Sequence, residues 1–98
     1  MTKALRNNLD ILKKDLNRLR SVYHVKRIGI FGSFSGGNEN KKSDLDVLIE
    51  FSEPVSLLTY IELKNHLSKL TKRNVDLVTK NALKPQLKKD ILKEAIYV

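Results

Sequence analysis

Two aspartates, Asp44 and Asp46, stand one residue apart at the start of an alternating apolar segment. In a β-strand, residues i and i+2 share a face about 7 Å apart, so both carboxylates are directed to one region. Carboxylates this close repel each other, and a chain of 98 residues has only a modest core to offset that cost. One face of the segment carries Leu45, Val47, Ile49 and Phe51, and the other carries Asp46, Leu48 and Glu50.

A divalent cation would turn this repulsion into attraction. The segment offers carboxylate oxygens and no histidine or cysteine, a donor set that favours Mg²⁺ or Mn²⁺ over zinc. Magnesium keeps several of its waters and completes its shell with substrate phosphates. The structural alternatives are that Asp44 caps a turn after Ser43 and that Asp46 simply faces solvent.

Gly32 and Ser33 supply a candidate phosphate site. They follow the β-rich segment "VKRIGIF" and precede Asp44 by ten intervening residues. Glycine lets the backbone approach a phosphate, free N–H groups attract anions, and the serine hydroxyl adds a donor. A Gly-Ser pair alone is common, but its place between a strand and an Asp-x-Asp segment is much more specific.

Asp76 is the third candidate acid. It lies in "NVDLVT", on the face opposite Val75 and Leu77, and could join Asp44 and Asp46 across adjacent strands. Three carboxylates that hold two metal ions are typical of in-line nucleotidyl transfer, in which the metals stabilise the attacking and leaving oxygens.

The order of elements predicts an α+β fold, in which a small mixed sheet is backed by helices as α-β-turn-β-α-β-α. Apolar residues at steps of three and four predict one helix over residues 3–22 and another over residues 56–71, with Leu57, Ile61, Leu67 and Leu70 facing inward. Strands are predicted at 25–31, 45–51 and 74–79, a loop at 36–43, a last helix from Pro85 to about Lys93, and a short strand or docked tail at the end.

Composition narrows the function classes. The chain has no cysteine, no apolar run of the roughly 20 residues that a membrane helix needs, and an N-terminal segment unlike a signal peptide. We therefore predict a single domain over residues 1–98, located in the cytoplasm and away from membranes. The net charge of +8 suits a polyanion or an acidic protein, although lysine-rich solvated helix faces would also explain it. The absence of a helix-turn-helix or single-strand motif argues against nucleic acid as the partner.

The stretch "GSFSGGNENKKSDLDVLIEF" resembles the signature of the DNA polymerase β-like nucleotidyltransferase superfamily, and it is most similar to the minimal, MNT-type branch. The likeness extends through "LLTYIELKNHLSKL" and "RNVDLVTKNALKP" to the terminal "ILKEAIYV". It implies a polymerase β-like fold and an enzyme that uses ATP and two Mg²⁺ ions, with Mn²⁺ as a possible substitute. Asp44, Asp46 and Asp76 would be its catalytic metal triad, and Gly32 and Ser33 would hold the nucleotide phosphates.

The same resemblance implies a partner. Many MNT-type proteins are antitoxins of HEPN-domain toxins, and some attach AMP to a tyrosine of the toxin. Both a homo-oligomer and a hetero-oligomer are compatible with this partner, and the sequence leaves the oligomeric state open. One departure concerns Gly36, which stands where similar proteins commonly carry arginine. The loss of a guanidinium there would weaken nucleotide affinity, unless Lys41 or Lys42 substitutes for it.

Three functions stay open on the sequence. The first is transfer of AMP from ATP to a protein hydroxyl, with the chain acting as an antitoxin. The second is a non-catalytic antitoxin that masks a toxin surface by binding it. The third is a small-molecule nucleotidyltransferase of the antibiotic-modifying kind, against which the short chain argues because few residues are left to build an acceptor pocket.

Overall fold

A computed structural model describes residues 1–40 and 43–98 of the chain. In these residues a mixed four-stranded sheet has the strand order β3-β2-β1-β4. Helices precede, connect and follow the strands, which confirms the predicted α+β class. The elements are α1 Lys3–Lys14, α2 Leu16–Tyr23, β1 Val25–Phe31, β2 Leu45–Phe51, α3 Leu57–Thr71, β3 Val75–Thr79, a short 3-10 helix Lys80–Ala82, α4 Pro85–Glu94 and β4 Ile96–Tyr97.

Strand direction follows from the connections. The strand β1 pairs antiparallel with both β2 and β4. In contrast, β2 and β3 are parallel, because the chain crosses back through α3 between them. This crossover brings the beginnings of β2 and β3 to the same end of the sheet.

The core lies between the sheet and the first three helices, and β2 runs through its centre. Leu45, Val47 and Ile49 are fully buried on the predicted inward face of β2. Leu48, on the opposite face together with Asp46, is also only 1% exposed. Both faces of β2 are therefore covered at its middle, and only its ends offer room for polar groups.

The predicted helix over residues 3–22 is in fact two helices. Asp15 interrupts it between α1 and α2, with backbone angles of φ −93° and ψ 2°. The Asp15 carboxylate lies 2.6 Å from Nε2 of His66 on α3, and the His66 ring stacks on Tyr23. A contact across 51 residues of sequence thus accompanies the break.

The predicted inward face of α3 was partly wrong. Leu57 and Ile61 are 74% and 43% exposed, whereas Leu67 is fully buried as predicted, together with Leu63, which is not part of the predicted face. Two overlapping apolar stripes run along this helix, and packing selects the one that begins later in the sequence. No helix in the described part of the chain is both long enough and apolar enough to cross a membrane.

Candidate active site

The strand register brings Asp46 and Asp76 together. They are direct partners in the parallel pair of β2 and β3. Asp44 comes just before β2, and the backbone N–H of the intervening Leu45 donates to the Asn74 carbonyl at 2.9 Å. The structure therefore positions the three predicted acids at one end of the sheet, two of them side by side on adjacent strands.

Gly32 meets this acidic end from β1. Phe31 is the register partner of Asp46, so the chain turns away from the sheet beside that carboxylate. Gly32 has φ +72°, a left-handed conformation that favours glycine. A Cβ at position 32 would lie 2.1 Å from Oδ2 of Asp46, far inside contact distance. Only glycine leaves this carboxylate in place against the turn.

Residues 32–37 form a tight turn in which several backbone N–H groups are not hydrogen-bonded to any described residue. The carbonyls of Gly32 and Ser33 accept from the N–H groups of Gly36 and Asn38, at 3.1 and 2.9 Å. Within residues 1–40 and 43–98, the N–H groups of residues 33–35 have no hydrogen-bond acceptor. Unsatisfied N–H groups at the start of such a turn suit an anion, as predicted for a phosphate.

The acids make the site strongly negative. Burial raises the pKa of Asp46 above its usual value, and the nearby charges of Asp76 and Asp44 raise it further. A hydrogen bond with Asp76 and the charge of Glu94 act in the same direction. A cation or a proton is therefore favoured beside Asp46.

Glu94 belongs to this cluster, although the sequence reasoning missed it. It is the last residue of α4, and its Oε2 accepts a long 3.4 Å hydrogen bond from the Gly32 N–H. The sequence predicts a helix end and a short strand or docked tail here, but it assigns Glu94 no role. No spacing rule connects position 94 to position 32, since only the pairing of β4 with β1 brings them together.

The donor set fits a hard divalent cation. Carboxylate oxygens are the preferred ligands of Mg²⁺, and the crowding at Asp46 is what such an ion would relieve. In the described part of the chain, however, no three metal-ligating side chains already converge as a ready-made metal site. Asp44, Asp46 and Asp76 are thus the residues that could hold an ion, with their side chains adjusting to it.

Beside Asp44, a cavity of about 470 Å³ opens between α1, the start of β2 and the end of α3. Its lining is rich in amides and cations: Ala4, Asn7, Asn8, Ser43, Asp44, Thr71, Lys72, Arg73 and Asn74.

Gly36, at the position of the expected arginine, is exposed. Lys41 and Lys42, the suggested substitutes, lie outside the described residues.

The sequence resembles those of known nucleotidyltransferases. The profile of the family described as "Nucleotidyltransferase domain" matches residues 9–98. A Methanocaldococcus jannaschii protein, provisionally named a protein adenylyltransferase, is 44% identical over 97 residues, which is 98% of this chain and 99% of the relative. The protein adenylyltransferase MntA of Thermococcus cleftensis is 42% identical over 88 residues, which is 90% of this chain and 89% of the relative.

Solved structures share the fold. A chain provisionally described as a minimal nucleotidyltransferase superposes with a TM-score of 0.79 at 34% identity, covering 94% of this chain and 93% of that one. A chain from a toxin–antitoxin complex with AMP-PNP has a TM-score of 0.69, and one from the complex of a tri-AMPylated Shewanella oneidensis HEPN toxin with its MNT antitoxin has 0.68. Each of the latter two is 19% identical and covers 95% of this chain and 70% of its own, which shows a shared fold alone.

Proposed function

The chain belongs to the family of nucleotidyltransferase domains, and we propose that it transfers AMP from ATP to a tyrosine hydroxyl of a HEPN-type toxin, for which it is the antitoxin. The relatives named protein adenylyltransferases support the reaction class. The complex of an MNT antitoxin with an AMPylated HEPN toxin, one chain of which shares this fold, supports the choice of partner. The observation that carries the proposal is the register pairing of Asp46 with Asp76 beside the Gly32 turn.

In this proposal each part of the site has one task. Asp44, Asp46 and Asp76 hold Mg²⁺, and the turn that begins with Gly32 and Ser33 binds the triphosphate through its N–H groups. When bound, the metal ions neutralise the phosphates and stabilise charge on the attacking and leaving oxygens. Without them, the acids would repel ATP.

The reaction is a direct displacement. The tyrosine oxygen forms a bond to the α-phosphorus of ATP, and the bond from that phosphorus to the bridging oxygen of pyrophosphate breaks. The hydroxyl proton is released to solvent, pyrophosphate leaves, and no covalent intermediate forms on this chain. The role of the protein is to align the two substrates, since phosphoryl chemistry of this kind depends on positioning and charge.

Labelled ATP tests the reaction. With Mg²⁺ and a HEPN-type toxin, label from α-labelled ATP is expected on the toxin and not on this chain, whereas label from γ-labelled ATP is expected on neither. The Asp46→Asn variant is the matched control, because it keeps the side-chain shape and removes the metal-binding charge. Label from the γ-position on the toxin would contradict the proposal, because it would indicate a kinase-type reaction.

The metal requirement has its own test. ATP should raise the melting temperature in Mg²⁺ or Mn²⁺ and leave it unchanged in EDTA, because a ligand stabilises only the state that binds it. An equal shift in EDTA would argue against the three aspartates as metal ligands.

One observation favours the masking alternative. Leu57, Leu58 and Ile61 expose 74%, 64% and 43% of their surface near the start of α3, an apolar group suited to a protein contact. A non-catalytic antitoxin would use such a surface to cover the toxin. Inhibition of the toxin by Asp46→Asn, without any AMP on the toxin, would favour this function over transfer.

A further inference from the structure

Arg73 connects segments of the candidate site that are far apart in the sequence. Its guanidinium carbon lies 4.7 Å from the centre of the Phe34 ring, in the turn that begins at Gly32. Its Nη1 lies 3.5 Å from the carbonyl oxygen of Ser43, directly before Asp44. Arg73 is also three residues before Asp76. The Arg73 side chain lies just before β3. It therefore contacts both the turn of residues 32–37 and the segment that leads into β2.

The Phe34 side of this contact is firmly held. The ring is 0% exposed and belongs to the hydrophobic core, so its position is fixed by packing. A guanidinium held over a fixed ring by a cation–π contact, and at the same time within reach of two carbonyl oxygens, has few alternative positions. Lysine has the same charge but a single ammonium group, so it cannot reach the ring and both carbonyls in this way.

The described ends of the segment between the turn and β2 are held from two sides. Nη1 of Arg73 also lies 3.5 Å from the Asn40 carbonyl oxygen. On the other side, Glu39 accepts a 2.5 Å hydrogen bond from the hydroxyl of Thr2, the N-cap of α1. Glu39 is therefore tied to the start of α1, and Asn40 and Ser43 are tied to Arg73.

We infer that Arg73 is a positioning residue that holds the Gly32–Gly37 turn and the Ser43–Asp44 segment at a fixed separation. This sets the distance between the groups that bind phosphate and the first carboxylate of the triad. The kinetic consequence rests on the proposed AMP transfer, whereas the structural consequence does not. A phosphate contact by Arg73 is the competing role, and its loss would weaken ATP binding without loosening the turn.

The variant Arg73→Lys tests the positioning role, because it keeps the charge and removes the planar guanidinium. We expect faster amide hydrogen exchange at Gly36, Gly37 and Leu45, whose N–H groups are hydrogen-bonded, and a fall in kcat of at least about tenfold, as misplaced reacting groups produce. Unchanged exchange together with unchanged kcat would overturn the inference. So would a rise in KM for ATP alone with unchanged exchange, because that pattern belongs to a direct substrate contact.

Arg27→Lys is the matched control. The guanidinium carbon of Arg27 lies 4.0 Å from the centre of the Tyr97 ring, where β1 meets β4, so this variant loses a similar stack away from the three aspartates. Its kcat and its exchange at Gly36, Gly37 and Leu45 should equal those of the wild type. A fall in kcat equal to that of Arg73→Lys would mean that general loosening of the fold is responsible, and it would refute a positioning role.

A second variant provides a test that does not depend on whether Arg73→Lys folds. Phe34→Leu preserves an apolar side chain in the core and removes the aromatic face. It should increase exchange over the same residues, and adding Arg73→Lys to it should have little further effect, because both changes break one contact. Fully additive effects would overturn the inference. If the wild type transfers no AMP at all, the proposed function fails, while the exchange measurements still decide the role of Arg73.

Discussion

Replacing Gly32 with alanine tests whether the turn and the acids form one site. The added methyl group has two consequences that can be separated. It places a non-glycine residue at φ +72°, and it brings a Cβ to 2.1 Å from Oδ2 of Asp46. Gly37 provides the matched comparison, because it also has a left-handed φ of +76°. A Cβ added at position 37 would lie 3.8 Å from a methyl group of Thr2, which is ordinary contact distance.

The expected magnitudes follow from these distances. A left-handed conformation costs a non-glycine residue roughly 1–2 kcal/mol, and the lower entropy of the unfolded chain returns about 0.4–1 kcal/mol. Both alanine variants should therefore lose about 1 kcal/mol of stability, or about 4–8 °C in melting temperature for a domain of this size. In Gly32→Ala the Asp46 carboxylate must also retreat by about 1 Å, and a displacement of that size can reduce catalysis about 100-fold.

The assay compares the melting temperature by circular dichroism with the rate of AMP transfer, at a temperature where both variants are folded. We expect similar melting temperatures for the two variants and a loss of transfer only in Gly32→Ala. Equal transfer rates would refute the reasoning, because Asp46 would then be functional without its contact with the turn. A much lower melting temperature for Gly32→Ala would instead mean that the carboxylate cannot move aside.

Three further substitutions test the site and its support. Asp46→Asn should melt at a higher temperature than the wild type at neutral pH without metal. The pKa of Asp46 is raised in the folded state, so the stability that the protonated carboxyl contributes is lost as the pH rises. The difference in melting temperature should therefore shrink as the pH falls below the usual carboxyl range, and a pH-independent difference would contradict this. Asp76→Asn should lower kcat for transfer far more than ATP affinity, as expected if this acid acts on the acceptor oxygen, and steady-state kinetics that show normal turnover at saturating ATP would reverse that role. Tyr60→Phe removes the hydroxyl that donates to the Leu77 carbonyl, so it should cost about 1 kcal/mol in urea unfolding and leave transfer unchanged, whereas lost transfer would assign Tyr60 to the site.

Much of the acidic end of the sheet was predictable because its determinants are local. The alternation of residues 45–51 specifies which side chains share a face, and β2 has the predicted bounds. The Gly-Ser pair directly follows β1, as expected from its place after an apolar strand. The pairing of Asp46 with Asp76 needed one further assumption, that the connection through α3 makes β2 and β3 parallel.

The errors arose where distant contacts decide the outcome. The break at Asp15 coincides with a contact to His66 on another helix, and periodicity over residues 3–22 contains no sign of it. On α3, Leu57 and Ile61 have helical spacing equal to that of Leu63 and Leu67, so spacing alone cannot choose between the two stripes. Glu94 and Arg73 were missed for the same reason, because their importance lies in which segments they meet.

The parallel pairing of Asp46 with Asp76 also determines when, during synthesis, the three acids can come together. A chain emerging from the ribosome presents the Gly32 turn, Asp44 and Asp46 well before Asp76, and the whole of α3 lies between them. Pairing of β3 with β2 must close the segment that contains α3, and the entropy of that closure makes this pair slower to form than local contacts. Because β3 is an edge strand of the described sheet, its release would leave β1 paired with β2, but it would expose the buried side chains of Val75 and Leu77. Late pairing during synthesis and release of an edge strand thus both concern β3. A chain in which β3 has not yet paired with β2, or has been released from it, carries an incomplete set of acids.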